Sequence, residues 1–302
     1  MKKILYIEDI NNRFPEDFKC LCDHFDVVNY PATKEDEFLN IDATIQNCHY
    51  SNWTRYGTMR HIGYLDIIPD DPYKPFTMVD EIWASNMAIF DFAQREFAGK
   101  VEYRPHIVNL DIYQNDHKFQ EIPEILGTFR FLYTSYDDKE SVKNIIRSFW
   151  SEFDPTEPVS LIINSNLLSR EEIDAIKGDM SLYDKNVYQK FILINSKPTL
   201  EQDIALHQLA NCYINHNKNW DNGLIHSMGF NKVIISEQNS IVNNYDKVAI
   251  INNLNQNEVM KEMRHIYENI GTVNYGIFGI EETNVLKEFS KENFLSHIKE
   301  LL

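Results

Sequence analysis

The segment Asn222-Gly223-Leu224 reads most directly as chemistry, because it opens a short helical run that ends near Met228. A helix start offers unpaired amides and the positive end of the helix dipole, which together suit an anion. Gly223 would let the backbone approach such a group closely, and the alternative is a plain glycine turn after a strand. Glu8, Asp9 and Asn11 follow the first apolar run; an acidic loop there suits hydroxyl groups or is simply solvated. Cys20 and Cys22 suggest a metal pair, yet no second Cys or His pair stands at zinc spacing. The cysteines are therefore expected to be buried small hydrophobes.

These residues need elements to hold them, and the chain supplies strands alternating with helices. That alternation predicts an α/β protein with mostly parallel sheets and helices on both faces. Strands are expected at Lys2–Ile7, Phe25–Tyr30, Ile41–Gln46, Arg60–Leu65, Val79–Ala84 and Val101–Arg104, with a helix over Asn86–Phe97. A second series is expected at Phe129–Thr134, Val159–Asn164, Tyr188–Asn195, Cys212–His216, Val233–Ser236 and Lys247–Ile251. Between them Val142, Ile145, Ile146, Phe149 and Trp150 form one apolar helical stripe. Ser169 with Glu172, and Thr199 with Gln202, each read as a capping box that opens a helix. A last helix runs from about Ser290 to Leu302. The polar stretch from Asn109 to Pro123, within a seam over 109–128, separates the two series.

With 302 residues, 43% of them hydrophobic, the chain can bury two cores. The formal charge of -17 opposes binding to phosphate backbones. No apolar stretch approaches the roughly 20 residues of a membrane helix. The opening Met-Lys-Lys-Ile-Leu-Tyr-Ile meets Glu8 and Asp9 too soon for a secretory signal. Reduced thiols and a cytoplasmic location are therefore expected, in a bacterial cytosol or that of a phage-infected host.

Several segments then line up in order with a known pattern. Met78-Val-Asp-Glu-Ile-Trp-Ala-Ser85 resembles the "V-D-E-I-W-V-P-S" strand of family-4-type GT-B glycosyltransferases, and Arg104-Pro-His-Ile-Val-Asn-Leu-Asp-Ile-Tyr113 resembles their "I-P-H-G-V-D-L-D-R-F" crossing. Phe129-Arg-Phe-Leu-Tyr-Thr-Ser and the helix to Phe149 are similar to the opening of their C-terminal domain. Lys218 to Met228, followed by Lys232-Val-Ile-Ile-Ser236, resembles "E-G-F-G-L-P-L-L-E-A-M … P-V-I-A-T". Ser290-Lys-Glu-Asn-Phe294 resembles the start of the family's final helix. The resemblance covers residues 60 to 302, with a shortened N-terminal half.

It implies a GT-B fold: two Rossmann-like domains facing across a cleft, with a C-terminal helix packing back toward the N-terminal domain. The expected division is 1–112 for the acceptor side, 113–285 for the nucleotide-sugar side, and 286–302 for the returning helix. The implied activity is a hexosyl- or pentosyltransferase that takes sugar from a nucleotide-diphosphate sugar, a UDP-sugar first among them, with retention. Lys139, with Lys143 as competitor, stands where the family grips the diphosphate, and Thr134 or Ser135 stands at its arginine position. Asn222, Gly223 and Leu224 would offer helix-start amides to the same diphosphate. His49 stands near a family histidine that faces the sugar, and His106 matches the Pro-His of the crossing, where it would order the linker. Glu8, Asp9 and Asn11 would line the acceptor side.

The register departs from the family at its Glu-x7-Glu pair, where Lys218 and His226 stand instead. Neutral His226 can accept one ribose hydrogen bond where a glutamate accepts two, and Lys218 would place a cation near the sugar or its phosphate. No Asp-x-Asp occurs, so no metal is expected and the nucleotide-sugar is the only co-substrate. A GT-B-like binding or partner subunit without turnover stays open, as does a GT-B-fold sugar-nucleotide epimerase. The acceptor is open among glycan, lipid, protein, small metabolite and a modified base in phage DNA, the last needing Arg55, Arg60 and their neighbours to gather. The oligomeric state is not legible.

Overall fold

The computed structural model describes residues 3–8, 15–23, 25–30, 41–55, 59–117, 123–180, 189–216, 221–242, 245, 247–252, 254–269 and 289–295. Lys218, Asp9 and Asn11 lie outside these residues, as does the last helix beyond 295. The chain divides into two compact units, Met1–Leu110 with Asn284–Leu302, and Asp111–Thr283.

The first unit holds a six-stranded sheet ordered β2-β1-β3-β4-β5-β6. Its strands are β1 (Lys3–Glu8), β2 (Asp26–Tyr30), β3 (Ala43–Asn47), β4 (Arg60–Leu65), β5 (Glu81–Ala84) and β6 (Lys100–Tyr103). Every pairing is parallel. Parallel neighbours need crossovers, provided here by α1 (Pro15–Cys22), the single turn α2 (Tyr73–Phe76) and α3 (Met87–Glu96). Asn86 caps α3 by accepting the Ile89 amide at 3.0 Å. Helical residues 291–295 belong to this unit: Phe294 meets Trp83 edge-on at 6.2 Å, and the Val108 amide donates to the Phe289 carbonyl at 2.9 Å.

The second unit holds another fully parallel sheet, ordered β12-β11-β10-β7-β8-β9. Its strands are β7 (Phe129–Thr134), β8 (Val159–Asn164), β9 (Lys190–Ile194), β10 (Cys212–Asn215), β11 (Val233–Glu237) and β12 (Val248–Ile251). The helices are α4 (Lys139–Glu152), α5 (Arg170–Asp179), α6 (Leu200–Leu209), α7 (Asn222–Gly229) and α8 (Gln256–Asn269). Every residue of β8 is buried, as a strand covered on both faces requires. The α4 stripe from Val142 to Trp150 is buried as its spacing predicts, and both capping boxes are formed.

All twelve expected strands are present in the expected order. The cysteine reading needs correcting: all four are free, Cys20 and Cys212 are buried, but Cys22 is exposed and Cys48 half-buried. Cys22 ends α1 on a solvent-facing position, which a sequence without clear α1 periodicity does not reveal.

Candidate functional site

Counted within the second unit alone, its strands run 3-2-1-4-5-6, so neighbouring β7 and β10 send their chains in opposite directions. Ligands of open α/β sheets sit outside the carboxyl ends of strands at such a switch point. The residues leaving β7 and β10, and the first turns of the helices beside them, therefore form the candidate site.

Thr134 ends β7 with its Oγ1 buried and without a partner among the described residues. Ser135 is buried, and its Oγ accepts the Asp138 amide at 3.2 Å. Tyr136 donates its hydroxyl to Asn164 Oδ1 at 2.7 Å, which ties the β7 exit to the end of β8. Asp138 caps α4 by accepting the Ser141 amide at 3.1 Å. Lys139, the first residue of that helix, pairs with Glu172 at 2.5 Å and holds that carboxyl below its usual range. Lys143 pairs with Glu140 at 2.7 Å. At the β10 exit, His216 Nε2 stands 3.6 Å from Asp137, and its ring meets Tyr133 at 5.4 Å.

The start of α7 is built differently from the sequence expectation. Asp221 is its cap: the Gly223 amide donates to Asp221 Oδ1 at 2.7 Å, and the Leu224 amide also favours the charged carboxylate. The two amides expected to meet a phosphate thus already face a carboxylate of this chain. Burial raises the Asp221 pKa, although those amides and the Tyr213 hydroxyl, 3.2 Å from Oδ2, oppose the rise. Gly223 is required for another reason too. A Cβ there would stand 2.7 Å from Tyr213 Cζ, so the small residue makes room for the tyrosine ring. Asn222 is exposed and Leu224 fully buried.

His226 also differs from the expectation of an accessible acceptor. It is 5% exposed, and its Nδ1 bonds the Tyr113 hydroxyl at 2.9 Å. Burial, with the His117 charge adding, lowers its pKa to about 4. The segment carrying Tyr113 reads as polar, but Tyr113 is anchored: its ring packs where a Cβ on Gly229 would be, 2.6 Å from Cδ2. The site further includes Asp203, in the first turn of α6, which sequence reasoning missed. Burial, with the Asp221 charge adding, pushes its carboxyl up to about 7. The signal for Asp203 in the sequence was its place directly after the Thr199 capping box, in the first turn of the helix that the box opens.

In the first unit, whose strands run 2-1-3-4-5-6, the equivalent switch lies between β1 and β3. Glu8 ends β1 in register with Asn47, and His49 follows two residues later. His49 is exposed and caps a short turn by accepting the Ser51 amide at 3.4 Å, and its Nδ1 also bonds Ser51 Oγ at 2.7 Å. Asn47 donates to the Tyr6 hydroxyl at 2.7 Å. His106 is fully buried between Asp17, 2.5 Å from Nδ1, and Asp66, 2.7 Å from Nε2. Tyr64 stacks on it at 4.2 Å. His106 thereby ties the chain after β6 to Asp17 and Asp66. Among the described residues no three His, Cys, Asp or Glu side chains are arranged to hold a metal ion, and no helix is long and apolar enough to cross a membrane.

No family model matches the sequence, and no curated protein is similar to it. Solved structures are similar. Anabaena HepE in complex with UDP and glucose has a TM-score of 0.68 at 10% identity, covering 100% of this chain and 99% of that one. A glycosyltransferase from Rickettsia africae gives 0.67 at 10% identity, over 99% and 97%. S. aureus TarM, in a complex that includes UDP, gives 0.61 at 10% identity; the match covers 85% of this chain and 55% of TarM. The likeness establishes the fold: two parallel α/β domains of the GT-B kind.

Proposed function

We propose that this protein is a glycosyltransferase that moves a sugar from a nucleotide-diphosphate sugar, a UDP-sugar first among them, to an acceptor hydroxyl, with retention and without a metal. The observation that carries this reading is the switch point between β7 and β10, with the α7 start beside it, in a fold shared with proteins solved with UDP. Lys139 and the α7 amides of Gly223 and Leu224 would meet the diphosphate, after Lys139 leaves Glu172. Asp221 must then change its role. Burial already favours its neutral form, and a neutral carboxyl can donate to a phosphate oxygen instead of repelling it. Preorganised donors of this kind stabilise the charge that builds on a leaving diphosphate. The loops after β1 and β3, with Glu8 and His49, would serve the acceptor, which is a glycan, a lipid, a protein or a modified base in phage DNA.

A second reading is a binding or partner subunit without turnover. The Asp221 cap on the α7 amides and the Lys139–Glu172 pair favour it, because both occupy groups a diphosphate would use. Mass spectrometry with a panel of nucleotide-sugars separates the two. Hydrolysis or transfer of one donor is the expected result. No turnover together with no thermal stabilisation by any nucleoside diphosphate would establish the second reading.

A further inference from the structure

Two imidazoles of the second unit are used at one nitrogen only. His226 Nδ1 bonds the Tyr113 hydroxyl at 2.9 Å, and His207 Nδ1 bonds the Ser227 hydroxyl at 2.8 Å. A hydroxyl that donates into Nδ1 leaves the ring proton on Nε2. Neither Nε2 has a hydrogen-bond partner among the described residues, although the two histidines are only 1% and 5% exposed. A buried ring nitrogen left so is costly. Both nitrogens look toward one carboxylate: His207 Nε2 stands 4.0 Å from Asp203 Oδ1, and His226 Nε2 stands 4.0 Å from Asp203 Oδ2.

Those separations are too long for direct hydrogen bonds and suit one oxygen in each gap. An oxygen about 2.8 Å from both ends would subtend roughly a right angle there. Two such oxygens would sit side by side, as hydroxyls on adjacent ring carbons do. The Asp203 side chain is 24% exposed, so this carboxylate opens to solvent while the imidazoles stand behind it.

We propose that Asp203, backed by the Nε2 groups of His207 and His226, is a binding site for a vicinal diol. Each hydroxyl accepts from one imidazole and donates to one carboxylate oxygen. The proposal rests on the nucleotide-sugar reading above and deepens it, since such a donor offers a vicinal diol on its ribose and another on its sugar. Asp203 thereby supplies, from α6, the two-oxygen acceptor that His226 does not provide on α7.

Titration calorimetry with UDP, 2′-deoxy-UDP and UDP-glucose tests this on the wild type and on Asp203→Asn, with Asp203→Glu as a second variant that keeps the charge but displaces it. If the diol is the ribose, wild type binds UDP at least tenfold tighter than 2′-deoxy-UDP, and both variants bring the ratio near one. If it is the sugar, the variants weaken UDP-glucose at least tenfold and leave UDP unchanged. Variants that leave all three affinities within twofold of wild type overturn the diol site alone, the gaps then holding only water. A wild type that binds no nucleotide overturns the donor reading and this site with it.

Discussion

His106 is an imidazole clamped between two carboxylates, and the clamp sets how its contribution to stability varies with pH. Burial opposes its charge, yet Asp66 and Asp17 beside it push its pKa up to about 9. A histidine raised in the folded state contributes stability that is complete below its unfolded pKa of about 6.5 and is lost as pH rises through about 9. Removing one partner of a buried ion pair costs about 3–5 kcal/mol, because the other charges stay buried. His106→Gln is therefore expected to destabilise the first unit by about that much at pH 7 and by distinctly less at pH 10. Urea melts of both proteins at the two pH values check this, and an equal loss at both would show that packing against Tyr64, not charge, carries the effect. The residue's neighbours could not be read from sequence. Asp17 and Asp66 stand 89 and 40 positions away, and only the fold brings them together.

At the scale of elements, α7 shows what a glycine at a helix start is for. Gly223 gives space to Tyr213, and its amide is held by Asp221. Gly223→Ala is expected to lower stability by about 1–3 kcal/mol, the usual range for overpacking a tight interior. Thermal melts measure it; an unchanged or raised melting temperature would mean that the tyrosine ring yields freely. The strands, the α4 stripe and both capping boxes were legible because each is written within a few neighbouring residues: an apolar run, a helical spacing, a Ser or Thr three positions before Glu or Gln. The Asp221 cap was legible by the same rule, since an aspartate before Asn222-Gly223 is an ordinary helix cap. Asp203 was not legible, because its partners His207 and His226 gain meaning only once α6 and α7 lie side by side.

At the scale of the molecule, the net charge of -17 runs against an anionic donor, and the candidate site shares the bias. Its described residues include Asp137, Asp138, Asp203 and Asp221, against Lys139 and the nearby His216. Burial reduces the conflict at two of them, because it raises the pKa of both Asp203 and Asp221 and so disfavours their charged forms. Donor recognition in this chain is thus expected to rest on hydroxyl and amide contacts more than on cations. Amide hydrogen exchange with and without saturating UDP tests the placement most directly. The account predicts added protection at 134–139, 203–207 and 221–226, with the first unit unchanged. Saturating UDP that protects none of these segments, or protects only the first unit, would contradict it.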